Sequence, residues 1–250
     1  ASRPEGEAIT RCVNPSCPAR LKQSILHFGS KGALDIDGLG ERLVEALVDS
    51  GRVRRLDDIF RLRPEDVAGI ERMGRKSASN LVKAIASAAE EITLPRLIYG
   101  LGIPHVGRAV AADLAAAFHS MDALAEADRE RLSSREGVGP TMAAAIDDWF
   151  ANEENVQLVK RLKEFGIDPR FEASGNLEGK TVVITGSLES MTRDEAQERI
   201  VAAGGRAAGS VSGRTDWLVV GSDPGSSKMS EAEKHGVETI DEKAFLKRLG

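Results

Sequence analysis

The sequence predicts a multidomain protein. An all-α repeat domain is followed by a small α/β domain with a four-stranded parallel sheet, and a short irregular cysteine-bearing segment precedes both. Three observations carry this. Glycine-centred turns recur through the middle of the chain, ending at Gly40, Gly74, Gly107 and Gly139, so their spacings are 34, 33 and 32 residues. From about residue 173, short apolar runs alternate with helical segments. The length of 250 residues exceeds one typical domain, and 41% hydrophobic with 29% charged residues is the composition of a folded globular chain. The predicted division is 1–30, 31–172 and 173–250. The second break falls where Asp168-Pro169 and Ala173-Ser174-Gly175-Asn176 punctuate the chain.

The first segment contains Cys12-Val13-Asn14-Pro15-Ser16-Cys17-Pro18. Two thiolates this close, in a loop stiffened by proline, suit one edge of a tetrahedral zinc site. A structural site needs four ligands. His27 is a candidate third, no fourth is visible, and a pair of thiols or a disulfide remains an alternative. No apolar leader stretch opens the chain and no run approaches a membrane span. The first residue is Ala1, so a piece of a longer protein is expected.

In the repeat zone each turn leads into an amphipathic, mostly Ala-rich helix. These are Glu41 to Ser50, Arg75 to Ala89, Arg108 to Phe118 and Pro140 to Ala151. Shorter helical segments precede three of the turns, and Thr93 with Pro95 makes a good start for one of them. A last helix runs from Glu153 to Phe165 and stops at Gly166. The period fits neither tetratricopeptide nor ankyrin repeats, whose signature residues are missing.

In the tail, Thr181–Thr185 reads as a buried strand. Thr192-Arg193-Asp194-Glu195 is a capping box opening a helix to Ala203. Arg206 to Gly209, Trp217 to Val220 and Val237 to Ile240 read as further strands. Helices are expected from Ser230 to His235 and from Asp241 to about Leu249.

The turns have a chemical use. A Gly-hydrophobic-Gly bend entering a helix leaves first-turn amides without internal partners, and the helix dipole adds positive potential there. That is an anion site suited to a phosphodiester, with no base being read. Candidate contacts are Gly38, Gly40 and Arg42; Gly74, Arg75 and Lys76; Gly107 and Arg108; and Gly137, Gly139 and Thr141. The bland alternative is a set of tight helix connectors. Four turns at near-constant spacing, three of them followed by arginine, favour the phosphate reading. Arg72 stands where the second turn's first glycine belongs, and Asp35, Asp37 and Glu41 crowd the first turn with negative charge. The chain as a whole is acidic, net −5, but residues 51–108 carry 11 basic against 7 acidic groups. A polyanion-binding face must therefore be local.

These turns resemble the helix-hairpin-helix family of non-specific DNA-binding motifs. The tail resembles a BRCT domain through Leu177-Glu178-Gly179-Lys180-Thr181, Thr185-Gly186, Ala203-Gly204-Gly205, Thr215 to Gly221 and Ser226-Ser227-Lys228. The whole order resembles the C-terminal portion of bacterial NAD-dependent DNA ligases. Further stretches carrying this likeness are Glu5-Gly6-Glu7-Ala8, Arg11-Cys12 with Cys17-Pro18-Ala19, His27-Phe28, Asp35 to Gly40 and Leu101 to Gly107. The resemblance implies a four-cysteine zinc finger of which Cys12 and Cys17 are half, the other ligands lying upstream. It implies a phosphate cup at Thr185, Gly186 and Lys228. It implies nicked double-stranded DNA as partner, together with upstream catalytic domains that use NAD and Mg. It also implies a monomeric, cytoplasmic, nucleoid-associated bacterial protein with no membrane role.

No catalytic constellation is visible. The adenylated lysine of a ligase sits in Lys-x-Asp-Gly, whereas Asp35-Ile36-Asp37-Gly38 lacks the lysine. No glycine directly precedes Lys228, so Gly225-Ser226-Ser227-Lys228 is not a Walker A loop. Neither Gly-x-Ser-x-Gly nor His-Glu-x-x-His occurs, and His27, His105, His119 and His235 are scattered. The expected role is therefore a non-catalytic DNA clamp, inactive by itself. The rival is a phosphoprotein-interaction module with the helices as scaffold. An independent nuclease or glycosylase would need a lysine or carboxylate cluster beside a hairpin, and none is apparent.

Overall fold

The structure, a computed structural model, describes residues 17–70, 73–135, 137–172 and 175–249. Four helical hairpins make the first body. They pair α1 (Pro18–Phe28) with α2 (Glu41–Asp49), α3 (Pro64–Ala68) with α4 (Arg75–Glu91), α5 (Leu94–Gly100) with α6 (Arg108–Phe118), and α8 (Arg129–Ser133) with α9 (Pro140–Ala151). A 3-10 turn at Leu56–Arg61, the short α7 (Met121–Ala125) and α10 (Glu153–Glu164) complete it. One continuous apolar cluster runs through all of these elements, built mainly from Leu, Ile, Val and Ala with few aromatics.

The irregular segment expected over 1–30 does not extend over Pro18–Phe28, and Cys12 lies outside the described residues. Pro18–Phe28 is a helix, and it belongs to the helical body. Pro18 at its first position fixes φ where no amide is missed. Leu21, Ile25 and Phe28 then fall on one face, and Ile25 and Phe28 are fully buried. A polar, proline-rich neighbourhood hides this stripe in the sequence.

Hairpins one and three lock together. Phe28 and Ala33 lie where a side chain on Gly100 would stand. His27 Nε2 donates to the Tyr99 carbonyl oxygen at 2.8 Å, and the two rings meet edge to face. That bond engages Nε2 and makes His27 a packing residue between the two hairpins.

The tail has β1 (Thr181–Thr185), α11 (Arg193–Ala202), β2 (Arg206–Ala208), β3 (Trp217–Val220), α12 (Ser226–His235), β4 (Glu238–Asp241) and α13 (Glu242–Leu249). The sheet is wholly parallel in the order β2-β1-β3-β4, with Val182 opposite Trp217 and Val219 opposite Ile240. Alternation along β1 sends Val182 and Ile184 to a face packed by Ile200 of α11 and Phe245 of α13. Val183 points to the other face, against Ala232 of α12. The capping box of α11 is formed as its sequence predicts.

Boundaries shift modestly elsewhere. β2 ends before Gly209 and β4 begins at Glu238. The larger difference is α12, which begins at Ser226, four residues before the expected Ser230. The Gly225 amide donates to Thr185 Oγ1 at 3.0 Å, so the loop is anchored to the end of β1 and the helix starts at once. Lys228 consequently lies in the first turn of that helix.

The two bodies touch. Phe171, just beyond the hairpins, is buried in the helical core, and its amide donates to the His119 carbonyl at 3.0 Å. Helix α11 lies against α6, and its Val201 is buried in the helical cluster rather than that of the tail.

Candidate nucleic-acid interface

Each of α2, α4, α6 and α9 begins at a glycine N-cap of nearly one conformation. Gly40, Gly74, Gly107 and Gly139 have φ between −87° and −76° and ψ between 159° and 177°. The residue before each glycine donates its amide three residues back: Leu39 to Ile36, Met73 to Ile70, Val106 to Ile103 and Val138 to Arg135, at 3.0–3.3 Å. Leu39, Val106 and Val138 are buried, and Met73 packs partly buried against the same core. The apolar knob faces inward and the glycine outward. Two residues before the cap the backbone turns left-handed at Gly38, His105 and Gly137. That is the requirement of a type II bend, which glycine meets without strain. Arg72, the equivalent in the second hairpin, lies outside the described residues.

The four caps differ from others in the chain. Helices α7, α8, α10 and α11 begin with Ser120, Asp128, Asn152 and Thr192, whose side-chain oxygens accept first-turn amides. None of the four hairpin helices has a side-chain cap. Their first-turn donors remain directed past the helix end.

A Cβ built on Gly40, Gly74, Gly107 or Gly139 meets nothing within 4 Å. The φ and ψ there suit any L-residue. Nothing in the fold therefore requires glycine at these four positions.

The flanking side chains differ between hairpins. Arg42, Arg75, Lys76 and Thr141 are exposed. Among the described residues, Arg42, Arg75 and Lys76 make no ion pair. Asp35, Asp37 and Glu41 are exposed around the first turn, as the sequence indicates. Pro140 removes one donor from the fourth. Arg108 is half-buried and paired with Asp194 of α11. That contact joins distant elements, and no local pattern announces it.

In the tail, Thr185, Gly186 and Lys228 come together. Thr185 is buried and its hydroxyl accepts the Gly225 amide. Gly186 has φ +77°, and a side chain there would strike the Ser222 carbonyl. Lys228 Nζ donates to the Ile184 carbonyl at 3.0 Å, and burial, then Arg193, lowers its pKa. Arg193 donates to the Gly186 carbonyl at 3.1 Å, which brings a second cation to the cup. The sequence reading missed it because Arg193 follows the Thr192 cap and looks like an ordinary first-turn residue.

Cys17 is the N-cap of α1 and half-buried. Cys12 lies outside the described residues. Among the described residues no group of three or more His, Cys, Asp or Glu is arranged to hold a metal ion, and no helix is long and apolar enough to cross a membrane.

Comparison with known proteins follows the same order along the chain. Residues 1–19 match the NAD-dependent DNA ligase C4 zinc finger domain. Residues 31–87 match the SAM-like helix-hairpin-helix tandem, and 96–159 match the helix-hairpin-helix motif. Residues 172–249 match the BRCA1 C-terminus (BRCT) domain. The DNA ligase of Desulfosudis oleivorans is 49% identical over 99% of this chain. That of Carboxydothermus hydrogenoformans is 44% identical over 98%, and that of Bacillus cereus 43% over 99%. The chain spans 37–38% of the length of these relatives. Zinc finger, helix-hairpin-helix and BRCT matches thus follow one another along the chain, and with ligases that resemble it over almost its whole length they identify it as corresponding to the C-terminal portion of an NAD-dependent DNA ligase.

Proposed function

We propose that this portion holds duplex DNA by its sugar-phosphate backbone, without reading bases, while upstream catalytic domains of the same chain seal a nick. The first-turn amides at Gly40, Gly74, Gly107 and Gly139, with Gly38 and Gly137 shaping their bends, supply the donors. Arg42, Arg75, Lys76, Arg108 and Thr141 add side-chain contacts. The observation carrying this is that the fold has no use for glycine at the four caps. Missing side chains on an outward-facing bend make sense where another backbone must come close.

The test follows directly. Replacing Gly139 by Val costs no more than about 1 kcal/mol of stability, the ordinary glycine-to-valine difference at a helix N-cap, because its Cβ meets no protein atom within 4 Å. It weakens binding to a short nicked duplex about three- to tenfold, as expected for one lost phosphate contact. Wild-type affinity falls steeply with salt, by a logarithmic slope of about 0.9 per neutralised phosphate. Unchanged affinity in Gly139→Val, or a flat salt response, would defeat the proposal.

In the intact protein Cys12 and Cys17 would supply half of a four-thiolate zinc site that fixes the cysteine segment and takes no part in chemistry. The cup of Thr185, Gly186 and Lys228 would take a phosphate group. Loss of inorganic phosphate binding in Lys228→Ala checks that assignment. NAD and Mg belong to the catalytic domains. The 250-residue chain, lacking Lys-x-Asp-Gly, should be monomeric and show no sealing of a nicked duplex in a ligation assay. The family does not favour the rival reading as a free-standing phosphoprotein reader.

A further inference from the structure

The third hairpin differs from the others in what its cation touches. Arg108 is the first residue of α6, directly after Gly107, the position Arg75 holds in α4. Arg75 is exposed and without an ion pair among the described residues, whereas Arg108 is paired with Asp194. Beside it, Lys31 Nζ lies 3.5 Å from Glu195 Oε1. Arg96 donates to the Lys31 carbonyl at 2.8 Å, and its Nε is buried without a hydrogen-bond partner. Glu198, one turn further along α11, is partly buried in the field of Arg96 and Arg108. Two carboxylates of one helix thus pair with cations of hairpins one and three, Glu198 adds negative charge on the same helix, and Val201 is buried in the helical core.

We propose that α11 is an acidic latch on the third hairpin: Asp194 and Glu195 hold Arg108 and Lys31 while no nucleic acid is bound, and DNA backbone phosphates displace them. This rests on the reading of the third hairpin as a phosphate contact. A carboxylate and a phosphodiester both seek the guanidinium at the helix start, and that guanidinium cannot serve both. The latch is built to open. The side chains of Arg108 and Asp194 are 38% and 39% exposed, so the pair is solvated, screened by salt and individually weak. Against a duplex offering many phosphates it loses. Gripping DNA with the third hairpin then breaks the polar contacts of α11 with the hairpins, leaving the apolar contact at Val201 to hold the tail alone.

Zero-length carbodiimide crosslinking of the full 250-residue chain reads this directly. The Lys31–Glu195 crosslink, identified by mass spectrometry, is expected in the free chain and should disappear when a labelled nicked duplex reaches saturation by anisotropy. In parallel, Asp194→Asn combined with Glu198→Gln, which leaves the Glu195 cap intact, should tighten duplex binding about threefold or more at low salt. Adding Arg108→Ala should erase that gain. No crosslink in the free chain overturns the latch. A crosslink that survives saturating duplex, or an affinity unchanged by the double variant, overturns the competition while leaving the hairpins as DNA contacts. A chain that binds no duplex at all overturns the hairpin reading, and the latch with it.

Discussion

Asp57 is fully buried, an unusual place for a carboxylate. Arg161 of α10 brings Nε to 3.0 Å from its Oδ1, close enough for an ion pair though off the axis of a hydrogen bond. Arg55 approaches Oδ2 at 3.4 Å. The pair ties α10 to the 3-10 turn beside the tilted ring pair of Phe60 and Phe165. Removing one partner of such a pair leaves the other charge uncompensated. Asp57→Ala should therefore cost about 3 kcal/mol in urea unfolding. The exposed Arg63–Glu65 pair supplies the contrast: Glu65→Ala should change stability by no more than about 0.5 kcal/mol. Equal effects from the two substitutions would contradict this account. The importance of Asp57 is invisible in the sequence, where Asp57-Asp58 reads as a solvated acidic step. Its partner lies 104 positions away, at Arg161.

The hairpins were legible as elements because their chemistry is local. A left-handed residue, a buried apolar knob and a bare glycine cap occupy three consecutive positions, and the helix follows at once. His105 shows the limit, because it takes φ +66° where glycine would be the easy choice. Helix α1 was not legible: two fully buried residues in a proline- and cysteine-rich setting give a weak stripe, and burial against α2 and hairpin three supplies the rest. The early start of α12 was hidden for a similar reason. Gly225-Ser226-Ser227 has loop composition, and only the bond to Thr185 turns it into a helix entrance. The tail's strands were readable because short apolar runs between glycines leave little choice. The cup shared by Thr185, Gly186 and Lys228 depended on the parallel crossovers bringing the ends of β1 and the start of α12 to one edge. No reading of local pattern reaches Arg108 with Asp194, because that contact exists only once the two bodies have docked.

At the scale of the whole molecule the two bodies should respond differently to acid. Four carboxylates of the tail are held below their ordinary pKa. Glu195 is stabilised first by the Thr192 amide and then by its hydroxyl. Asp216 is stabilised first by the Thr181 amide and then by Lys180, and Glu238 first by Arg248. Glu242 is stabilised first by the Ser190 hydroxyl, with the amides of Glu189 and Ser190 adding to it. A carboxyl whose folded pKa lies below its unfolded value contributes stability that is complete above the unfolded range, near about 4, and is lost as pH falls through the folded value. Glu198 has the opposite sign: burial raises its pKa, so protonation relieves a cost of folding. Four against one, the tail should lose stability as pH drops from about 6 to about 3. Trp217 reports on this body and Trp149 on the other, so a Trp149→Phe chain isolates the tail by fluorescence. Its thermal midpoint should fall across that range, and the fall should be shallower in Asp216→Asn, which can no longer ionise beneath Lys180 and the Thr181 amide. A midpoint that is flat or rising on acidification, or a slope unaffected by Asp216→Asn, would show that these capped carboxylates do not govern the tail's stability.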